Sequence, residues 1–131
     1  MSIFALKRIE AIDSKQTVDK LIINDKCQFD EFEDEILKHK KYKSQLGMIY
    51  TYLEYISNGE TLPATHFKDI TPENEKVKEY EFKTKHLRIY AIKKRDGKII
   101  ILGGYKNNQK KDISKFRAIK KRYLESVKTQ K

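Results

Sequence analysis

Apolar residues recur at helical spacing in the first half of the chain. Phe29, Phe32, Ile36 and Leu37 follow one another at three- and four-residue steps, with acids early and lysines late, which predicts a helix over residues 25–42. A second apolar stripe predicts a helix over 44–57 that stops at Asn58-Gly59. The members of this stripe are Leu46, Ile49, Tyr50, Leu53 and Ile56.

The N-terminal segments give a less regular pattern. Residues 3–12 mix apolar and charged positions without a clean period, which fits either an edge strand or the start of a helix. Residues 15–24 place Val18, Leu21 and Ile22 at helical spacing, and Asp13 or Ser14 can supply an N-cap. This spacing predicts a helix over 15–24.

In the second half of the chain, apolar residues recur at every second position. Residues 61–72 form an extended connection that begins around Pro63, and the segments 77–83 and 87–93 then alternate apolar with charged residues, as half-buried strands do. Asp96-Gly97 predicts a hairpin, and the apolar run 99–102 predicts a strand in the middle of the sheet. A last helix is expected over 113–127, capped by Asp112.

These elements predict one α+β domain over residues 1–131. Its N-terminal helices pack on a small antiparallel β-sheet, a three-stranded meander, and a C-terminal helix closes it. A chain of 131 residues fits a single domain with its own core.

Charge adds a functional hint to this picture. The net charge is +10, but residues 1–65 hold nine Lys/Arg against eleven Asp/Glu, whereas residues 66–131 hold twenty against eight. A positive field on one half of a small domain attracts polyanions, because neutralised phosphates release counterions. The alternative to a functional basic surface is that all proteins of the source organism are rich in lysine.

Other classes of site lack a sequence signal. Cys27 is alone, so no disulfide forms within the chain, and His39, His66 and His86 are scattered, so no metal site or other cofactor is expected. Gly103-Gly104 lacks the Lys-Ser/Thr that would complete a phosphate loop. No signal peptide or membrane span is recognised, which predicts a cytoplasmic protein.

The segment from Leu62 to Tyr123 resembles the RelE/HigB family of toxins, including its phage-derived branch. The resemblance rests on the order and spacing of several short motifs over roughly half of the chain. These motifs are Leu62-Pro63 with Phe67-Lys68, Tyr80-Glu81-Phe82, Leu87-Arg88-Ile89-Tyr90, the run 100–106, and Gln109-Lys110-Lys111. The resemblance implies a RelE-like fold and a ribonuclease that cuts mRNA without metal, often on the ribosome. It also implies a cognate antitoxin protein that covers or distorts the site.

Cleavage of this kind uses the RNA 2′-hydroxyl as nucleophile. It needs a proton acceptor, cations on the phosphate and a donor for the leaving oxygen. By resemblance, Arg88 matches the arginine that holds the scissile phosphate, and strand alternation puts Arg88 and Tyr90 on the face opposite Leu87 and Ile89. The alternative for Arg88 is a solvent-facing arginine.

The remaining candidates surround Arg88 in the sequence. Lys83 either contacts phosphate or accepts the proton, His86 can act as acid or base, and Lys106 and Lys110 match basic family positions. Further RNA contacts are predicted at Lys85, Tyr105, Gln109, Lys111, Lys120 and Arg122. Tyr105 can stack on a base or pack in the core, and the charges of the last helix can equally form a solvated face.

Two departures from the family pattern leave the general base unassigned. Glu79 and Glu81 stand where the RelE branch carries catalytic basic residues, and Asn107 stands where it carries a second arginine; Glu81 agrees better with the HigB-like branch. The alternatives are therefore a non-catalytic module of the same fold, such as a ParE-like toxin that poisons gyrase or an inactive phage-derived relative, and an interaction protein whose basic half binds an acidic partner.

Overall fold

The computed structural model describes residues 2–129, which form six strands, three α-helices and one short 3-10 helix. The strands are β1 (Phe4–Arg8), β2 (Thr17–Ile23), β3 (Phe67–Asp69), β4 (Glu79–Lys83), β5 (Leu87–Lys94) and β6 (Gly97–Tyr105). The helices are α1 (Gln28–His39), α2 (Lys43–Ser57) and α3 (Gln109–Thr129), and the 3-10 turn Lys106–Asn108 leads into α3.

All six strands join one mixed sheet in the order β1-β2-β6-β5-β4-β3. The predicted meander is its β4–β5–β6 core, and β6 lies in the interior of the sheet as its apolar run indicates. The prediction of a small, purely antiparallel sheet is wrong, because β2 pairs with β6 in parallel and β1 and β3 extend the two edges.

The helix predicted over residues 15–24 is also wrong, since this segment is strand β2. Val18 packs in the core beneath α1 and α2, whereas Leu21 packs in the core beneath α3. A strand with both faces covered needs apolar residues on both sides, so its pattern can coincide with helical spacing. The edge-strand alternative for residues 3–12 is the one realised, as β1.

Helices cover both faces of the sheet, which gives an α+β domain with two hydrophobic cores. One core joins α1 and α2 to the sheet through Phe29, Ile49, Leu53, Leu87 and Ile89. The other joins α3 to the opposite face, and its main members are Tyr90, Ile92, Ile99, Ile101, Phe116 and Ile119. Leu87 and Ile89 thus face away from Tyr90, as predicted from alternation.

Several element boundaries differ from the sequence prediction. Helix α1 begins at Gln28, where Cys27 is the N-cap, and α3 begins at Gln109, so Asp112 lies inside its first turn and does not cap it. The connection 61–72 contains the edge strand β3. The stop after α2 is confirmed, with Gly59 at φ 85, and Asp96 adopts φ 60 in the β5–β6 hairpin.

Candidate nucleic-acid interface

Most of the predicted site residues meet at one end of the sheet, where the β4–β5 turn lies beside the end of β6. Lys83 pairs with Arg88, Arg88 pairs with Gly104, and Leu87 pairs with Tyr105. The Lys106 N–H donates to the His86 carbonyl at 2.9 Å, which fixes the 3-10 turn beside the β4–β5 turn. We call this region, from Lys83 to Arg88 with Tyr105 to Lys111, the cationic sheet end.

Arg88 is buried without a counter-ion. Its residue is 7% exposed, and Nη1 donates to the carbonyl oxygens of Thr84 at 2.7 Å and Leu87 at 2.8 Å. Its Nε is buried without a hydrogen-bond partner, and none of the ion pairs among the described residues involves this guanidinium. A buried charge in this state is costly. The alternative of a solvent-facing arginine is therefore wrong, and an anion would relieve the cost.

Five lysines around Arg88 are half-exposed or fully exposed. None of them forms an ion pair within residues 2–129. They are Lys83, Lys85, Lys106, Lys110 and Lys111. Because none of their ammonium groups lies within 4.0 Å of a carboxylate oxygen in this part of the chain, they remain available to phosphate groups.

On the α3 side of this end, two buried polar residues form a row next to Arg88: Glu81 and Tyr90. Glu81 faces Tyr90 across the strand pair, is 1% exposed, and accepts a hydrogen bond from Gln109 Nε2 at 2.6 Å. Burial first, and then the Glu81 carboxylate, raises the pKa of the Tyr90 hydroxyl. Gln109, predicted as an RNA contact, is thus engaged with Glu81.

Gly104 allows the first turn of α3 to approach the sheet closely. A Cβ at this position would lie 2.0 Å from Asp112 Oδ2, so a larger residue would displace the Asp112 carboxylate. Burial raises the pKa of the Asp112 carboxyl. The start of α3 therefore lies directly over the row that contains Arg88.

On the other side of the sheet end, a hydrogen-bond network fixes His86. The backbone N–H of His86 donates to Gln45 Oε1 at 2.8 Å, and Thr84 Oγ1 also contacts this oxygen at 2.6 Å. Since Gln45 Oε1 must accept from the backbone N–H, the amide nitrogen Nε2 is the group that faces His86 Nδ1, at 2.9 Å. Nδ1 is then the acceptor, and the neutral ring carries its proton on Nε2.

Aromatic rings surround this histidine. The Tyr42 ring stacks on His86 with centroids 4.7 Å apart, and the Tyr105 ring lies 6.0 Å from Tyr42. A cavity of about 470 Å³ opens here. Its walls are Tyr42, His86, Tyr105, Lys106, Asn107 and Asn108.

Two predicted RNA contacts lie elsewhere. Lys120 is 2% exposed, and its Nζ is 2.8 Å from both Glu79 Oε2 and the Val77 carbonyl oxygen, so its prediction as an RNA contact is wrong. Arg122 is exposed, donates to Ser2 Oγ at 2.6 Å and lies over the Phe4 ring. It therefore belongs to the β1 edge of the molecule and not to the cationic sheet end.

Sequence reasoning missed Tyr42, Gln45 and Thr84. Gln45 lies 39 residues before Thr84 and 41 before His86, so no local pattern links them. The one available signal was the polar Thr84 in the turn between two strands, which suits a residue that bonds neighbouring backbone groups. Thr84 Oγ1 accepts from the Leu87 N–H at 3.1 Å.

Neither metal ligation nor membrane insertion is indicated by the described residues. Between residues 2 and 129, no group of three or more His, Cys, Asp or Glu side chains is arranged to hold a metal ion. Within the same range, each helix is too short or too polar to cross a bilayer. Compared with protein-family models, curated proteins and solved structures, the chain gives no match.

Proposed function

We propose that the protein is the toxin of a type II toxin-antitoxin system, a RelE/HigB-like endoribonuclease that cuts mRNA at the cationic sheet end. The main support for the proposal is Arg88, a residue only 7% exposed whose guanidinium has no carboxylate partner in the described chain. A phosphate is the anion that a guanidinium fork matches best. The resemblance from Leu62 to Tyr123 supplies the reaction.

In the proposed reaction the RNA 2′-hydroxyl oxygen attacks the adjacent phosphorus. The bond to the 5′ oxygen breaks, which leaves a 2′,3′-cyclic phosphate and a 5′-hydroxyl. Arg88, and Lys83 opposite it in the strand pair, stabilise the charge on the phosphate, and Lys106 and Lys110 hold the flanking backbone.

The Glu81 carboxylate is the group on this face that can accept the 2′-hydroxyl proton, once it has released Gln109. His86 can donate a hydrogen bond from Nε2 but neither takes nor gives a proton in this state, because its Nδ1 already accepts from Gln45 and a neutral imidazole is not an acid near neutral pH. We assign it a hydrogen-bond donor role toward a neighbouring RNA group, and the leaving 5′ oxygen takes its proton from water.

The proposed activity also implies particular partners and a location for the protein. An antitoxin protein would neutralise the cationic sheet end, mRNA would be the substrate, and the ribosome would present it in the cytoplasm. The excess of twenty basic over eight acidic residues in 66–131 favours polyanionic partners of this kind.

A non-catalytic binding module is the second candidate. It is favoured by the Gln109–Glu81 hydrogen bond and by the close contact of Asp112 with Gly104, which place α3 over the row beside Arg88. A ParE-like toxin that acts on gyrase, or an inactive relative, falls in this class.

Induced expression in a bacterial host tests the proposal. The wild type, Arg88→Ala and a matched control, Arg95→Ala, are compared for growth and for mapped mRNA 5′ ends. Arg95 is exposed at the β5–β6 turn, the opposite end of the same strand pair. We expect growth arrest and new mRNA ends with the wild type and with Arg95→Ala, and neither with Arg88→Ala.

Other outcomes separate the candidates. Growth arrest without new mRNA ends would replace the ribonuclease by the gyrase-type toxin. If wild-type expression neither arrested growth nor produced new ends, the toxin proposal would be abandoned for a binding module.

A further inference from the structure

The cavity beside His86 has the features of a site for one unpaired nucleobase. Its wall combines aromatic rings with hydrogen-bond donors, and its volume is about 470 Å³. We propose that it binds a purine base of single-stranded RNA, and that it prefers guanine to adenine. This inference rests on the proposed function, since it names the base recognised next to the phosphate site.

Aromatic surface for stacking comes from Tyr105 and Tyr42. Tyr105 is half-exposed and is held in place by the Phe32 ring, 5.3 Å away and edge-on at 65°. Tyr42 is held by His86 on one face. Rings that are fixed before binding lose little freedom when a base stacks on them, so the stacking energy is retained on binding.

The preference for guanine follows from the fixed histidine. With one ring face on Tyr42 and Nδ1 bound by Gln45, His86 keeps Nε2–H as its free donor, and the residue lines the cavity. Lys106 adds an ammonium group, which only donates. Guanine offers two neighbouring acceptors, O6 and N7, whereas adenine places an N6 amino donor beside N7. The His86 and Lys106 donors therefore match guanine and oppose adenine, whereas the amides of the two asparagines in the cavity wall, which both donate and accept, suit either base.

The position of the cavity connects base and phosphate recognition. The cavity lies on the α2 side of the sheet end and the Arg88 row lies on its α3 side. Lys106, in the adjacent 3-10 turn, is fixed between them by its N–H to the His86 carbonyl. An RNA strand that passes round this end can thus place one base in the cavity while a neighbouring phosphate lies near Arg88 and Lys83.

Fluorescence anisotropy with short labelled RNAs tests this inference. The probes are 2′-O-methyl oligonucleotides, which cannot be cleaved by 2′-hydroxyl attack, with a single G or a single A in an otherwise all-U strand. We expect the wild type to bind the G probe about tenfold more tightly than the A probe, as one or two hydrogen bonds provide.

Three variants separate the contributions of the His86 donor, the Tyr105 ring and the Arg88 cation to RNA binding. His86→Phe keeps a ring against Tyr42 but removes the donor, so the preference for G over A should disappear. Tyr105→Leu should weaken both purine probes about equally. Arg88→Gln should weaken every probe by the same factor, and thermal unfolding of each variant checks that it folds.

The two possible failures are distinguishable. If the wild type binds RNA but does not prefer G, or if His86→Phe retains the preference, the guanine pocket is wrong and the proposed function stands. If the wild type binds none of the probes, the proposed function fails, and the pocket inference fails with it.

Discussion

Lys98 and Lys120 are both buried lysines, but only Lys120 has a carboxylate that compensates its charge. Lys120 lies between Glu79 and a backbone carbonyl, so its charge is compensated. Lys98 is 7% exposed, forms no ion pair in the described part of the chain, and has its Nζ 5.1 Å from the centroid of the Tyr80 ring. Burial, and then nearby Lys93, lowers the pKa of Lys98.

Replacing Lys98 by Met should stabilise the protein at neutral pH. A Met of similar length keeps the contact with Tyr80 and removes a buried cation, so we expect the free energy of unfolding at pH 7 to rise by about 1–2 kcal/mol. The unfolded chain binds more protons than the folded one between the lowered pKa of Lys98 and its ordinary value. Wild-type stability therefore increases with pH through this window.

Urea unfolding at pH 7 and at pH 10.5 measures the effect, the second value being roughly the ordinary pKa of lysine. The advantage of Lys98→Met should shrink at the higher pH. Exposed Lys7→Met, on β1, serves as the control and should show little change at pH 7. A loss of stability in Lys98→Met at neutral pH would show that the Tyr80 contact outweighs the burial cost.

At the scale of elements, an ion-pair cluster holds α3 against β4. Glu79 is fully buried, and it accepts from Lys120 Nζ at 2.8 Å and from Arg117 Nε at 2.9 Å. Arg117 also donates from Nη2 to the Ile70 carbonyl at 2.9 Å. The cluster thus connects the middle of α3 to the sheet on the side of β3 and β4.

Removing Lys120 alone should destabilise the protein more than removing Lys120 and Glu79 together. Lys120→Met leaves the Glu79 carboxylate with only Arg117, and we expect a loss of about 3 kcal/mol in unfolding free energy. Glu79→Leu combined with Lys120→Met removes both buried charges and should remain within about 1 kcal/mol of the wild type. Denaturant unfolding of the two single variants and the double variant measures the coupling. Additive losses would contradict the account.

The elements also show what the sequence could predict. Helices α1 and α2 are recognisable because each buries one stripe and leaves the rest in water, so the helical period is visible. Strand β2 is not, because helices cover both its faces and its apolar residues lose the alternating pattern. Its parallel pairing with β6 joins segments about 80 residues apart, as Thr17 opposite Gly97 shows, and no local signal marks it.

Within the candidate site, too, local contacts could be predicted from the sequence and contacts between distant segments could not. Lys83 and Arg88 are neighbours in a short hairpin, so alternation alone places them on one face. The Gln45–His86 contact depends on how α2 packs on the sheet, and the partnership of Lys120 with Glu79 depends on how α3 does. A surface lysine and a buried one look alike in sequence, which is why Lys120 was predicted to bind RNA.

At the scale of the whole molecule, the cations of the second half are not spread evenly. Six of the twenty cations in residues 66–131, Arg88 and the five lysines, lie in the cationic sheet end, and none of the six forms an ion pair in the described part of the chain. Unpaired cations close together create the stronger local field. RNA binding should therefore depend on this end and not on net charge in general.

The salt dependence of RNA binding tests this central claim most directly. The affinity of purified protein for an uncleavable single-stranded RNA is measured over a range of salt concentrations. The wild type is compared with Lys83→Gln/Lys106→Gln/Lys110→Gln and with the charge-matched control Lys7→Gln/Arg8→Gln/Lys93→Gln, whose positions are exposed on β1 and at the far end of β5. Each lost phosphate contact reduces the slope of log affinity against log salt by about 0.7. We predict a slope smaller by about 2 for the first triple variant and almost unchanged for the control. Equal reductions in both would contradict the account, since they would mean that the RNA responds to net charge and not to the cationic sheet end.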